Sequence, residues 1–323
     1  MLILAGDIGG TNTRLCLTEV SEHHQSYPLR EAVYPSSPDG LAAIVNRFLD
    51  QAPKPDKACF ALAGPVLNHK CKVTNLPWPE LETQTLQQEL QIPQVALIND
   101  FVAIAYNLVL EANNQLLTLQ TGEYSAEAPK VIIGAGTGLG KALAIPQGDS
   151  YQVFPTEGGH QNFAPMNALL SELGIYWQRD GIVDLEKIVS GPGIVNIFRF
   201  LGDHQFPQEN TDRFLTQADP AFAISQGAKQ GNLLCQQTMS LFIESYGAAV
   251  GDIAVNLLPF GGIYIAGGIA AKNLERMKDG LFMQAFKHKA RVNPQLLEKI
   301  PVHIVLNTLE GLQGAIKYAI YKM

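Results

Sequence analysis

Residues 2–17 read Leu-Ile-Leu-Ala-Gly-Asp-Ile-Gly-Gly-Thr-Asn-Thr-Arg-Leu-Cys-Leu. An apolar strand, Leu2–Ile8, runs into a Gly-Gly-Thr-Asn turn, and a weakly alternating strand, Thr13–Val20, leaves it. This pattern predicts a β-hairpin. Residues 131–145, Val-Ile-Ile-Gly-Ala-Gly-Thr-Gly-Leu-Gly-Lys-Ala-Leu-Ala-Ile, repeat the plan of strand, glycine turn with Thr, and strand. The echo predicts two related halves, each opening with a hairpin.

Between and beyond these hairpins the patterns alternate. Leu41, Ile44, Val45 and Phe48 have helical spacing within residues 40–49. Lys57–Ala63 is an apolar strand broken by Gly64-Pro65. Thr83–Leu90 reads as a short helix, Val95–Ile98 as a buried strand and Asp100–Glu111 as a helix. Residues 110–129 are polar and turn-rich and read as a connector. From Met166 the period is mostly helical, with a helix at Gly247–Asn256, a strand at Gly262–Ala266 and a last helix within Thr308–Tyr321. There is no low-complexity tract or Ser/Gly linker, so the halves are expected to pack around a cleft.

Composition removes several classes. The 323 residues carry a net charge of −7 without a basic run, which argues against nucleic-acid binding and against a polybasic membrane anchor. The apolar stretch Tyr246–Ala271 is interrupted by Asp252, Asn256, Pro259 and several glycines, so it does not read as a membrane span. The first residues lack the basic region and cleavage site of a signal peptide and read as a strand. Cys16, Cys59, Cys71 and Cys235 have no CxxC spacing, which points to free thiols and not to zinc or a disulfide framework. A reducing, cytoplasmic setting is expected.

Three glycine turns carry the chemistry. Asp7-Ile8-Gly9-Gly10-Thr11-Asn12-Thr13 can turn several backbone N–H groups towards one anion, with Thr and Asn side chains as added donors. Asp7 at the strand end suits Mg²⁺ held through water, because hard cations take oxygen ligands. A tight hairpin with a capping Asp explains the same residues. Gly134–Gly140 holds four glycines in seven residues, as expected for close backbone approach to a ligand; a bulge-rich turn is the plainer account. It is not a Walker motif, since Lys141 is followed by Ala142. Gly267-Gly268 ends a third strand and leaves a bare surface on which a flat ring can lie.

Polar residues gather at two further places. Asn99-Asp100 follows the buried strand Val95–Ile98, and ligand crevices in open α/β sheets lie at such strand ends. Asp100 can serve there as a general base and Asn99 as a hydroxyl-binding amide; Asp100 can equally cap the following helix. In Glu157-Gly158-Gly159-His160, Glu can accept from neighbouring hydroxyls and His can donate to another. A lone His is also commonly structural. Glu186, ahead of Ser190-Gly191-Pro192-Gly193, is a third carboxylate that by itself reads as a surface charge.

Taken together, Gly6–Asn12, Ile98-Asn99-Asp100-Phe101, Gly136-Thr137-Gly138-Leu139-Gly140, Glu157-Gly158-Gly159-His160, Ser190–Gly193 and Ala266-Gly267-Gly268-Ile269 resemble the bacterial glucokinase family of the hexokinase/actin/Hsp70-like ATPases. The resemblance implies an α/β, two-domain actin-like ATPase (ribonuclease H-like) fold, with a mixed five-stranded sheet in each domain and a cleft between. Residues 1–110 plus 301–323 would form the small domain and 111–300 the large one. It implies transfer of the ATP γ-phosphoryl to the 6-hydroxyl of glucose. Asn99, Asp100, Glu157, His160 and Glu186 would bind the sugar, with Asp100 the catalytic base. Gly9, Gly10, Thr11, Asn12, Gly136, Thr137 and Gly138 would hold the phosphates, Gly267 and Gly268 the adenosine, and Asp7 the outer shell of Mg²⁺. A carboxylate near the ordinary pKa of about 4 is a weak base. That suffices where the proton moves late in a loose transition state. The Cys-rich zinc motif of related sugar kinases and repressors is missing, as is an N-terminal helix-turn-helix, which places the chain in the zinc-free branch. A homodimer is common in such families.

Three other readings compete. A kinase of another hexose or amino sugar would share the scaffold. An actin- or Hsp70-like ATPase switch would lack the Asn-Asp and Glu-Gly-Gly-His pairs. A nucleotide-responsive repressor is disfavoured by the charge and the absent DNA-binding segment.

Overall fold

The apolar runs become the central strands of two mixed sheets, in a computed structural model that describes residues 1–36, 39–74, 76–110 and 115–323. Strands β1 (Leu2–Ile8), β2 (Asn12–Val20) and β3 (Ser26–Pro35) lead to helix α1 (Leu41–Phe48) and β4 (Lys57–Leu62). Three short strands follow, β5 (Val66–Leu67), β6 (Lys70–Cys71) and β7 (Leu81–Glu82), which form a small sheet of their own. Then come α2 (Thr83–Leu90), β8 (Gln94–Asn99) and α3 (Asp100–Leu110). The expected last residue of that helix, Glu111, lies outside the described residues.

Strands β9 (Leu116–Gln120), β10 (Lys130–Ala135), β11 (Leu139–Gln147) and β12 (Ser150–Thr156) precede a 3-10 turn at Gly158–His160. Helices α4 (Ala168–Gln178), α5 (Gly191–Gln205), α6 (Asp212–Leu215), α7 (Pro220–Lys229) and α8 (Leu233–Leu257) come next. Strand β13 (Ile263–Ala266) is followed by α9 (Gly268–Lys272), α10 (Leu274–Lys278), α11 (Leu281–Lys287) and α12 (Pro294–Glu298), then β14 (Val302–Val305) and α13 (Glu310–Tyr321). No helix among the described residues is long and apolar enough to cross a membrane.

Contacts divide the chain into two units. The first comprises Met1–Asn114, Tyr151–Pro155 and Asn307–Met323. Its sheet has the order β3-β2-β1-β4-β8. β1 and β2 form the expected hairpin, pairing Asp7 with Arg14, while β1, β4 and β8 run parallel. Asp7 and Asn99 therefore both stand at carboxyl ends of parallel strands. Leu4, Phe48, Phe60 and Trp78 are fully buried in the core, and each such side chain contributes about 1.5–3 kcal/mol. Helix α13 packs on α3, β1 and β4. β3 is the exposed edge, and Pro28, Arg30 and Glu31 suit a strand that must not recruit another.

The second unit comprises Gln115–Ser150 and Thr156–Leu306. Its strands β9, β10, β11, β13 and β14 belong to a sheet of order β12-β11-β10-β13-β14-β9, six strands where five are expected; most of β12, Tyr151–Pro155, is counted with the first unit. Five of these repeat the first sheet's order, β12-β11-β10-β13-β14 against β3-β2-β1-β4-β8, and the extra strand is β9, beside β14. β10 and β11 form the second hairpin, and β10, β13 and β14 are parallel. β9 falls in the segment read as a connector. Its pairing with β14 supplies the order that its own short, half-buried sequence does not. Val131, Ile133, Phe198, Phe242 and Ile265 anchor the core here. All four cysteines are buried free thiols, as expected.

Candidate active site

In the first unit, the polar residues cluster around the ends of β1 and β8. The Asn99 amide donates to the Gly64 carbonyl at 3.2 Å, and its Oδ1 accepts from the backbone N–H groups of Phe101 (3.0 Å) and Val102 (3.3 Å). Asn99 thus caps α3. The capping role considered for Asp100 is largely met by its neighbour, although the Asp100 Oδ1 also accepts from Phe101 N–H at 2.9 Å. Burial pushes the Asp100 carboxyl up to about 7; the Phe101 N–H opposes this, and the nearby Asp7 charge adds to it. The ordinary value expected from sequence does not hold because surrounding protein removes the solvent that stabilises the anion.

Asp7 is also raised by burial, with Arg14 across the hairpin opposing. A Cβ on Gly311 would stand 3.1 Å from the Asp7 carboxyl atoms. The glycine therefore lets the first turn of α13 come close to that carboxylate. A half-buried carboxylate of this kind fits a hard divalent cation. Among the described residues no group of three His, Cys, Asp or Glu could enclose an ion.

The first glycine turn is held from behind. Gly9 N–H donates to the Asn12 carbonyl at 2.9 Å, and the Ser36 hydroxyl donates to the Gly9 carbonyl at 2.8 Å. Gly10, Thr11 and Asn12 are exposed on its outer side. Ser36 was not legible as a site residue.

In the second unit, the other two glycine turns stand side by side, because Gly134 pairs with Ala266. Gly136 N–H donates to the Gly138 carbonyl, and Gly191 N–H donates to the Gly136 carbonyl, both at 2.8 Å. The second link brings the N-terminus of α5 to the turn, with Ser190 as its cap. Thr137 is exposed. Gly267 adopts φ 85°, a conformation that side chains disfavour, and a Cβ there would meet the Ala135 carbonyl oxygen at 2.7 Å. Gly268 then opens α9.

Glu157, His160 and Glu186 form one cluster in this unit. Glu186 Oε2 accepts from the Leu139 N–H at 2.7 Å, and Glu186 N–H donates to the Gly159 carbonyl at 2.9 Å. The reading of Glu186 as a plain surface charge is thereby replaced: the residue joins the glycine turn to the Glu157–His160 segment. His160 Nε2 lies 4.0 Å from Glu157 Oε2, and both side chains are more than half exposed, at 55% and 57%. His160 Nδ1 lies 2.8 Å from Asp184 Oδ2. This bond, with lesser help from the charges of Glu186, Asp184 and Glu157, raises the His160 pKa against the effect of burial.

Asp184 was missed in the sequence. It reaches His160 because residues 162 and 184 meet in an isolated β-bridge, a pairing invisible in local pattern. Lys141 was noticed only as a departure from the Walker motif. A charged residue inside the apolar run Leu139–Ile145 was the available signal.

A family model described as Glucokinase matches residues 4–321. The chain belongs to the glucokinase family. It is similar to the glucokinase of Trichormus variabilis, with 47% identity over 97% of each chain. It is also similar to a crystal structure of a glucokinase from an Antarctic psychrotroph, with 29% identity, a TM-score of 0.81 and coverage of 99% and 98%. A glucokinase of Balamuthia mandrillaris solved in complex with glucose has the same fold, with a TM-score of 0.84, 23% identity and coverage of 99% and 93%.

Proposed function

We propose that this glucokinase-family chain transfers the γ-phosphoryl group of ATP to the 6-hydroxyl of D-glucose with Asp100 as general base, on an actin-like, ribonuclease H-like scaffold. The observation that carries the assignment of the base is the place of Asp100, a half-buried carboxyl directly after the carboxyl end of β8 and beside Asn99, with its pKa pushed up to about 7. A base poised near the working pH accepts a proton far better than an ordinary carboxylate. The 6-hydroxyl attacks the γ-phosphorus in line, its proton passes to Asp100, and ADP leaves.

Asn99, Glu157, His160 and Glu186 bind the other sugar hydroxyls. Such hydrogen-bonding groups discriminate against sugars lacking a hydroxyl, because a partner is then left unpaired. The exposed outer side of residues 9–12, with the turn Gly136–Gly138, receives phosphate oxygens through backbone N–H groups and the Thr11 and Thr137 hydroxyls. Gly267 and Gly268 carry the adenosine. Mg²⁺ near Asp7 would offset phosphate charge, and this chain's own role there is to supply an oxygen ligand through water. The enzyme is proposed to be a cytoplasmic homodimer, and sedimentation tests the dimer.

A coupled assay for ADP release over a panel of hexoses and amino sugars tests the reading. Release is expected with glucose and far less with analogues lacking a hydroxyl. Release independent of any sugar would indicate an ATPase switch, and preference for another sugar would reassign the substrate.

A further inference from the structure

Lys141 is the third residue of β11, paired with Ile133 of β10, and is 6% exposed. Its strand neighbours Leu139, Ala142, Leu143 and Ala144 are apolar. An apolar residue would fill the position at less cost, since removing an ammonium from water is unfavourable unless its hydrogen bonds are replaced. Burial holds the Lys141 pKa down to about 8, and Asp252 on α8 works in the opposite direction.

The replacement partners all lie in one short segment. Lys141 Nζ donates to the Gly158 carbonyl at 3.1 Å and to Gln161 Oε1 at 3.1 Å. The Lys141 carbonyl accepts from the Thr156 hydroxyl at 3.2 Å, and that hydroxyl accepts from the Gly158 N–H at 3.2 Å. Lys141 therefore grips residues 156, 158 and 161 with its backbone and its side chain, directly or through one hydroxyl.

The two glycines of this segment record how closely it lies on β11. A Cβ on Gly158 would stand 2.8 Å from Lys141 Nζ, and one on Gly159 would fall on the Leu139 carbonyl oxygen. Glu157 and His160 project from the clamped backbone with their side chains largely exposed and 4.0 Å apart. The segment is a fixed base carrying two open polar groups.

We propose that Lys141 is a positioning residue for sugar recognition, fastening the Glu157–Gln161 turn so that Glu157 and His160 meet the sugar hydroxyls together. This rests on the reading of that turn as part of the glucose site. The ammonium does not touch substrate; it acts through the backbone of the two groups that do. Its loss should weaken glucose binding selectively, because the turn would otherwise have to be ordered at the expense of binding free energy.

The test compares Lys141→Met, Lys141→Arg and Glu157→Gln with the parent enzyme by steady-state kinetics, by glucose titration in calorimetry without nucleotide, and by melting temperature. Loss of hydrogen bonds from a charged donor predicts a glucose KM and Kd about tenfold higher in Lys141→Met. Its kcat and its KM for ATP should stay within about threefold. Lys141→Arg, which keeps a charged donor, should recover most of the glucose affinity. Glu157→Gln should raise the glucose KM whatever Lys141 does. If Glu157→Gln raises the KM but Lys141→Met leaves it within twofold, Lys141 is a strand filler and the proposal falls. Parallel losses of kcat, ATP affinity and melting temperature, unrelieved by Arg, would make it purely structural and also overturn it. If Glu157→Gln leaves glucose affinity unchanged, the turn is not the sugar site, and the underlying reading fails with the proposal. Should Lys141→Met not fold, Lys141→Gln takes its place with the same expected split.

Discussion

The two polar clusters handle burial in opposite ways. At the end of β8, Asp100 is half-buried and accepts a backbone N–H at a carboxyl oxygen, with another carboxylate, Asp7, close by. At the 3-10 turn, Glu157 and His160 keep more than half of their side chains in solvent, while the backbone beneath them is fastened to β11. The first arrangement changes the proton affinity of a group. The second leaves the groups in solvent and fixes the backbone that carries them. On the proposed reading, desolvation prepares the base and tethering prepares the sugar-recognition surface.

The contrast breaks most sharply at Asp100. Asp100→Asn should lower kcat by about 10²–10⁴-fold, the range for removal of general base catalysis, with glucose KM changed far less. A kcat within tenfold of the parent would remove the residue from that role. At the turn, the equivalent injury is steric. A methyl group on Gly159 meets the backbone carbonyl of Leu139, which cannot rotate away. Gly159→Ala should cost about 1–3 kcal/mol of stability and raise the glucose KM, measured by denaturant melts and kinetics.

A smaller effect is expected at Asp184, which orients His160 without being needed for proton transfer. Asp184→Asn should raise the glucose KM severalfold and lower the His160 pKa, since its hydrogen bond is the largest cause of the upward shift. Nitrogen NMR of the imidazole would report both tautomer and titration. The last effect concerns stability. Because the Asp100 pKa is raised in the folded chain, the native state holds a proton that the unfolded chain has already released between about pH 4 and 7. Its contribution therefore favours the fold below that window and is lost as pH rises through it. Asp100→Asn should raise the melting temperature at pH 8 by roughly 2–4 °C, with the gap closing towards pH 4.

The two hairpins were legible because a glycine turn between apolar strands needs no distant partner to be recognised. Helix Thr83–Leu90 was legible for a similar reason. Strands β3 and β14 were not read. β3 carries charges and Pro28 because it is an edge, and β14 has only four residues and depends on β13 and β9 for its register. The candidate residues Asp100, Asn99, Glu157, His160 and Glu186 could be picked out by type and by place in the sequence. Their environments could not. The rise in the Asp100 pKa comes from protein packed around it, and the bond from Asp184 to His160 spans 24 positions. Lys141 shows the same limit: its charge is visible in the strand, but the carbonyl and amide it serves lie 17 and 20 residues away.

The pH dependence of kcat/KM for glucose tests the central claim most directly. A general base must be deprotonated, so the profile should fall tenfold per unit on the acid side, with an apparent pKa near 7 that belongs to Asp100 as influenced by Asp7. The same limb should persist in Asp184→Asn, which separates it from His160. A profile flat from pH 8 down to pH 5 would contradict the assignment of Asp100 as the base.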